Sequence, residues 1–144
     1  MPTRPVSEVI QNRPVVTATM ATTVSEAARI MKECRSSALL VVSGPTLAGI
    51  CTERDIVFGA VAVGLDPHAT PVAAIMTRNV QTIAPHKPFG HALHMMYEGG
   101  FRHVPVVDAA GRPLGLLAAH DALNMDMLQL EGELERREEL AVIL

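Results

Sequence analysis

The sequence predicts a mixed α/β (α+β) fold made of two β-α-β-β-α units packed as similar halves, followed by a C-terminal helix. The first observation is an internal repeat. Residues 13–42 match residues 78–107 without a gap, pairing Arg13 with Arg78, Val15 with Val80, Thr17 with Thr82, Ala27 with Ala92, Met31 with Met96 and Val41-Val42 with Val106-Val107. One residue later in the second copy, Gly49-Ile50 meets Gly115-Leu116 and Asp55 meets Asp121. The second observation is composition: 49% of residues are apolar and 3% are aromatic, so a sizeable core is built from aliphatic side chains. The third is that each copy carries the same succession of strand-like and helix-like periodicities.

The elements follow in order. Val15–Ala18 is a short β-prone run. Thr23 and Glu26 have capping-box spacing, and Val24, Ala27, Ala28 and Met31 then form one apolar helix face. Ala38–Val42 is a continuous apolar run, as in a strand covered on both faces. Ser43-Gly44-Pro45 is a turn, Leu47–Cys51 a second strand, and Thr52–Val63 a helix. The second copy repeats this with a strand at Val80–Ile83, a helix bearing Phe89, Ala92, Leu93 and Met96, strands at His103–Val107 and Leu114–Leu117 around a turn at Asp108–Arg112, and a helix from about His120. These readings divide the chain into repeat 1 (6–65), repeat 2 (71–128) and an amphipathic C-terminal helix (122–144), with Gly64–Pro71 as linker. The tail carries an apolar stripe of Leu123, Met127, Leu130 and Leu134 beside the charged run Glu131–Glu139. Gly132 weakens it by up to about 1 kcal/mol relative to Ala. The stripe is either an oligomer contact or a face folded back on its own domain.

Composition also bounds function. Few aromatic rings and a formal charge of −3 argue against a nucleic-acid binder. No apolar run approaches the roughly 18 residues of a membrane span, and the N-terminus lacks a secretion-signal core, so a cytoplasmic protein without membrane contact is expected. Cys34 and Cys51 match no metal spacing and read as reduced, small apolar side chains, with Cys34 on the inner face of its helix. His91 and His94 lie outside their helix's apolar face and lack further ligands nearby, which makes a metal-dependent hydrolase a weak reading. No nucleophile with local support is present, so no catalytic or metal site and no required cofactor are expected.

Polar chemistry concentrates where the repeat matches. Gly49–Asp55 joins a buried strand to a helix start, a junction that favours an anion. Thr52 offers a hydroxyl to a phosphate oxygen, and Asp55 a carboxylate able to accept both hydroxyls of a ribose. The same Thr-x-x-Asp spacing is also that of a capping box. In the second copy Ala118 replaces the threonine while Asp121 stays in register, which favours a ribose role for Asp121, although it could also cap its helix alone. Arg102 and His103 open a buried strand where the first copy has Ser37 and Ala38; Arg suits phosphate, and His adds a pH-sensitive donor.

These motifs resemble a tandem pair of cystathionine-β-synthase (CBS) domains, a Bateman module of the stand-alone signal-transduction type. The resemblance covers about residues 6–128 and rests on the Val-Ser-Glu-Ala-Ala-x-x-Met helix, on Gly49–Asp55 as a G-h-x-T-x-x-D motif, and on the strand Phe101–Asp108. It implies a disc-like pseudo-two-fold pair that forms homodimers and regulates an effector protein. The implied ligand is an adenine nucleotide or related molecule: AMP, ADP, ATP, NAD or S-adenosylmethionine. By position, it implies that Asp55 and Asp121 bind ribose, that Thr52, Arg102 and His103 meet phosphate, that Val15, Thr17, Val80 and Thr82 flank adenine, and that Val104 and Pro105 form apolar walls. Because Ala118 and Ser37-Ala38 depart from the pattern in opposite copies, unequal sites are expected, the one with Arg102, His103 and Asp121 taking the more phosphorylated ligand. The contrasting expectation is an assembly module whose clefts hold no ligand.

Overall fold

A computed structural model describes residues 3–143, with side-chain surroundings defined to residue 140; Leu144, the end of the expected tail, lies outside the described residues. The order is α1 (Val6–Val9), β1 (Thr17–Thr19), α2 (Val24–Cys34), β2 (Ala38–Ser43), β3 (Thr46–Thr52), α3 (Glu53–Ile56), a 3₁₀ turn (Val72–Ala74), α4 (Phe89–Gly99), β4 (His103–Val107), β5 (Pro113–Ala118) and α5 (His120–Ile143). α3 runs directly into a π-helical turn at Val57–Val61, where the Ala62 N–H donates to the Val57 carbonyl five residues back.

The repeat reappears in three dimensions. Val24, Ala27 and Met31 are the buried face of α2, and Phe89, Ala92 and Met96, each 65 positions on, are the buried face of α4. Thr23 caps α2 in the expected reciprocal box with Glu26. Both helices end in a left-handed residue, Arg35 in the first half and Gly100 at the matching position of the second. β2 pairs antiparallel with β3, and β4 with β5, each with a register irregularity at the matched pairs Val41/Val42 and Val106/Val107.

One expected strand is reduced. β1 pairs parallel with β2, but Val80–Ile83 retains only an isolated bridge between Ile83 and Val106. The cause is one proton. In the first half the Leu40 N–H donates to the Val16 carbonyl at 2.9 Å. The matching residues are Pro105 and Gln81, and a proline nitrogen has no hydrogen to donate. A second correction concerns Cys34, which is exposed at the last turn of α2; Cys51 is buried as expected.

The two halves exchange short apolar segments. Val6, Val9 and Ile10, at the start of the chain, lie in a core with Ile83, Phe89, Ala92, Met96, Val104, Val106 and Leu117. Conversely Val72 and Met76 join Ala27, Met31, Leu39, Val41 and Cys51. Backbone bonds fix both crossings: the Val6 N–H donates to the Lys87 carbonyl, the Phe89 N–H to Arg4, the Val24 N–H to Thr70 and the Val72 N–H to Thr22. The stretch expected as a linker is thus bonded to the start of α2. A third cluster, Ala38, Leu40 and Ile50 with Val80 and Leu116 against it, joins the halves directly.

The matched glycines permit these crossings. A Cβ on Gly49 would lie 2.7 Å from the Thr77 carbonyl oxygen and 2.8 Å from Met76 Sδ, and one on Gly115 would lie 2.7 Å from Ile10 Cδ1. Thr77 is fixed by two backbone bonds with Ile50, whereas the atoms nearest a Gly115 Cβ, Ile10 Cδ1 and then Cβ at 3.0 Å, all belong to one side chain. Gly49→Ala is therefore expected to destabilise the fold by about 1–3 kcal/mol in chemical denaturation, and Gly115→Ala by less. Equal effects would contradict this account.

Candidate functional site

Between the halves lies a cleft of about 1360 Å³. One wall is the β3–α3 junction, with Thr52, Arg54 and Asp55 continuing to Val57 and Phe58; the facing walls carry Thr77, Asn79, Val80, Gln81, Arg102, His103 and the β5–α5 junction. A smaller pocket of about 310 Å³ adjoins it through Asn79 and Val80 and includes Thr82 and Gly49. Thus Thr52, Asp55, Arg102, His103 and Val80 converge on one cleft, with Thr82 beside it.

Thr52 and Asp55 do form the capping box. The Asp55 N–H donates to Thr52 Oγ1 at 3.1 Å, and the Thr52 N–H to Asp55 Oδ2 at 2.9 Å. The cap leaves chemistry unspent. Thr52 accepts through its oxygen and keeps its own hydrogen to donate, while Asp55 Oδ1 has no bonded partner among the described residues. Capping and ligand binding are compatible here, because they use different atoms. Arg54 lies over the Phe58 ring, 5.2 Å from its centroid, which holds the guanidinium along the same wall.

Cys51 lies behind Asp55. Burial, with a smaller contribution from the Asp55 carboxylate, pushes its thiol up to about 12, so it is an uncharged packing group.

His103 joins the halves. Its Nε2 lies 2.7 Å from Ser37 Oγ, so the starts of β2 and β4 meet across the cleft. Burial first, then the nearby His120, and to a lesser degree Arg102, lower its pKa from 6.5; Glu53 and Asp121 act in the opposite direction without reversing the shift. The ring is therefore neutral near pH 7, and the expected pH-sensitive donor stays uncharged until more acidic conditions.

Asp121 is placed differently. Its side chain is 1% exposed, and it accepts from Arg13 Nη1 at 3.0 Å and Nη2 at 2.8 Å and from the Ala118 N–H at 2.8 Å. Half of a capping box survives in this copy, since Ala118 has no hydroxyl to complete it. Arg102 and His103 therefore share a cleft with Asp55, and Asp121 is engaged by Arg13 instead of lining it. Val15 and Thr17 stand away from the cleft lining, and Val104 and Pro105 are wholly buried, Val104 in the second-half core. Arg13 was visible in the sequence only as the repeat partner of Arg78. His94 pairs with Glu98 at 3.0 Å on the surface, and among the described residues no three His, Cys, Asp or Glu side chains gather as metal ligands.

Because folded His103 binds a proton more weakly than the unfolded chain, its contribution to stability is present above pH 6.5 and is lost as pH falls through and below that value. Melting temperatures measured from pH 7.5 to 5 are expected to fall, and His103→Gln to flatten that fall. A parallel decline in the variant would exclude His103 as the cause.

Comparison with known proteins agrees with this architecture. The family model described as the CBS domain matches twice, at residues 6–61 and 72–127. A CBS domain-containing protein of Arabidopsis thaliana is 40% identical over 89 residues, which is 62% of this chain but 16% of that protein, and a second from the same organism is matched over 19% of its length. A CBS domain protein from Pyrobaculum aerophilum, solved in complex with AMP, is 27% identical with a TM-score of 0.75, covering 81% of this chain and 88% of that one. A CBS domain pair solved with 5′-methylthioadenosine and S-adenosyl-L-methionine is 29% identical with a TM-score of 0.78, covering 89% and 99%. With both halves matched in sequence and in fold, the chain belongs to the CBS-domain family and carries two CBS domains in tandem.

Proposed function

We propose that this chain is a non-catalytic regulatory module that binds an adenosine-containing ligand in the cleft between its repeats. The observation that carries this reading is the pair of uncommitted atoms at the β3–α3 junction: the Thr52 hydroxyl hydrogen and Asp55 Oδ1, on a cleft that also presents Arg102. Asp55 accepts from the ribose diol, Thr52 donates to the first phosphate, and Arg102 and Arg54 supply charge-assisted contacts. Neutral His103 adds a polar contact without added charge. The complexes of related pairs with AMP and with S-adenosyl-L-methionine support an adenosine ligand.

Titration calorimetry with AMP, ADP, ATP, NAD and S-adenosylmethionine tests this reading. Losing one hydrogen bond to a charged group costs about 1.5–3 kcal/mol. Asp55→Asn is therefore expected to weaken AMP binding by about tenfold or more, and Arg102→Ala to weaken AMP more than adenosine. Wild-type affinity in the Asp55 variant would overturn the assignment.

The assembly reading also has an observation in its favour. Val57, Phe58 and Val61 on the π-helical turn after α3, and Leu123, Met127, Leu130 and Leu134 on α5, are apolar yet exposed. We assign these faces to a homodimer in which a second copy covers them. Val57, Phe58 and Leu123 also line the cleft, so ligand and dimer share a wall, and an effector protein could read the change in their relation. Light scattering of the wild-type chain is expected to give a dimer, and Phe58→Glu with Leu123→Glu a monomer. A wild-type monomer at micromolar concentration would refute it.

A further inference from the structure

The two acidic residues of the repeat are not in equivalent states. Asp55 keeps one carboxylate oxygen free, and among the described residues it has no ion-pair partner. Asp121, its counterpart, is held in a two-pronged contact by Arg13, with a further bond from the Ala118 N–H and His120 Nε2 at 3.9 Å. A guanidinium fork fills the same two acceptor directions that a vicinal diol would need, and it neutralises the charge that would attract one.

The difference comes from the segments that precede each copy. In the second copy Thr77 pairs with Ile50 of β3 through two backbone bonds, and Arg78 is directed to the Ala73 carbonyl at 3.3 Å. In the first copy Ile10 is anchored against Gly115 of β5, the Arg13 N–H returns to the Ile10 carbonyl, and Asn12 adopts a left-handed φ of 65°. That turn carries Arg13 back to the start of α5. Matched arginines thus take opposite courses, and only one of them reaches a carboxylate.

We infer that Arg13 is an internal latch that occupies the second diol-binding carboxylate, so that each chain takes one adenosine ligand, at the Asp55 side, although the repeat carries two acidic residues. This rests on the reading of the cleft given above, and it assigns the stoichiometry and selectivity to a residue outside the G-h-x-T-x-x-D motif. Opening the second position requires both prongs of the Arg13 fork to leave Asp121, so the latch is closed to AMP and to a neutral nucleoside alike.

The test is calorimetric titration of AMP into the full-length chain. Wild type is expected to bind one AMP per chain, and Arg13→Met two. Asp55→Asn is expected to weaken the wild-type site by about tenfold or more by itself, and combined with Arg13→Met to retain one site of undiminished affinity. Since Arg13→Met leaves Asp121 without its partner, Arg13→Lys is measured beside it. Lysine keeps the charge but loses the fork, and is expected to admit a second AMP more weakly. A melting transition for each variant establishes that it is folded. Two AMP per wild-type chain would overturn the latch and leave the cleft reading intact. One AMP per chain in wild type and in both Arg13 variants would also overturn it. One AMP in the Arg13 variants and none in wild type would support the latch but not the Asp55 site. No binding by any variant would overturn both.

Discussion

The structure depends on an exchange between its halves. Three apolar side chains from the first residues of the chain complete the second core, and Val72 and Met76 from the inter-repeat segment complete the first. Each fully buried aliphatic side chain contributes about 1.5–3 kcal/mol relative to exposure. Neither half could be lifted off the other without opening both interiors. The cleft is consequently a space between walls that are mutually fixed, and its width is set by packing on either side of it. Gly49 and Gly115 belong to this constraint as much as to the site, because each lets the crossing segment approach its strand.

Duplication supplied two copies of a local arrangement, and the surroundings have given them different work. At the first junction the helix cap and two valences it leaves unused coexist on two side chains. At the second, alanine has removed one of the pair and an arginine from the other half has taken the survivor. Arg102 and His103 adjoin the second junction and line the same cleft as the first. The polar resources of both repeats therefore gather at a single opening, and the apolar faces of the π-helical turn and α5 border it.

Much of this was legible in the sequence for a physical reason: repeat-matched burial leaves a periodic mark. Val24, Ala27 and Met31 and their counterparts announce both packed helices, and the Thr23 box marks the helix start. The misreadings fall where a distant partner decides. Cys34 continues the apolar spacing of α2, but the helix ends at the next residue and leaves it outside. Val80–Ile83 has the composition of a strand, yet its pairing depends on the residue at position 105. Asp121 reads like Asp55, and nothing nearby reveals that Arg13, 108 positions away, holds it. The exchange of segments has no local signature at all, since Val6 and Val9 look like any short apolar run.

Proline 105 has an effect beyond the sheet. In the first repeat the Leu40 N–H donates to the Val16 carbonyl, whereas among the described residues no backbone N–H donates to the corresponding carbonyl of Gln81. A backbone oxygen deprived of its internal donor has to be met by solvent or by an incoming molecule. Gln81 lies on the lining of the cleft. A substitution that trims one ladder thus leaves, at a residue of the cleft lining, a main-chain acceptor that the ladder does not use and that side-chain mutation at that position would leave in place.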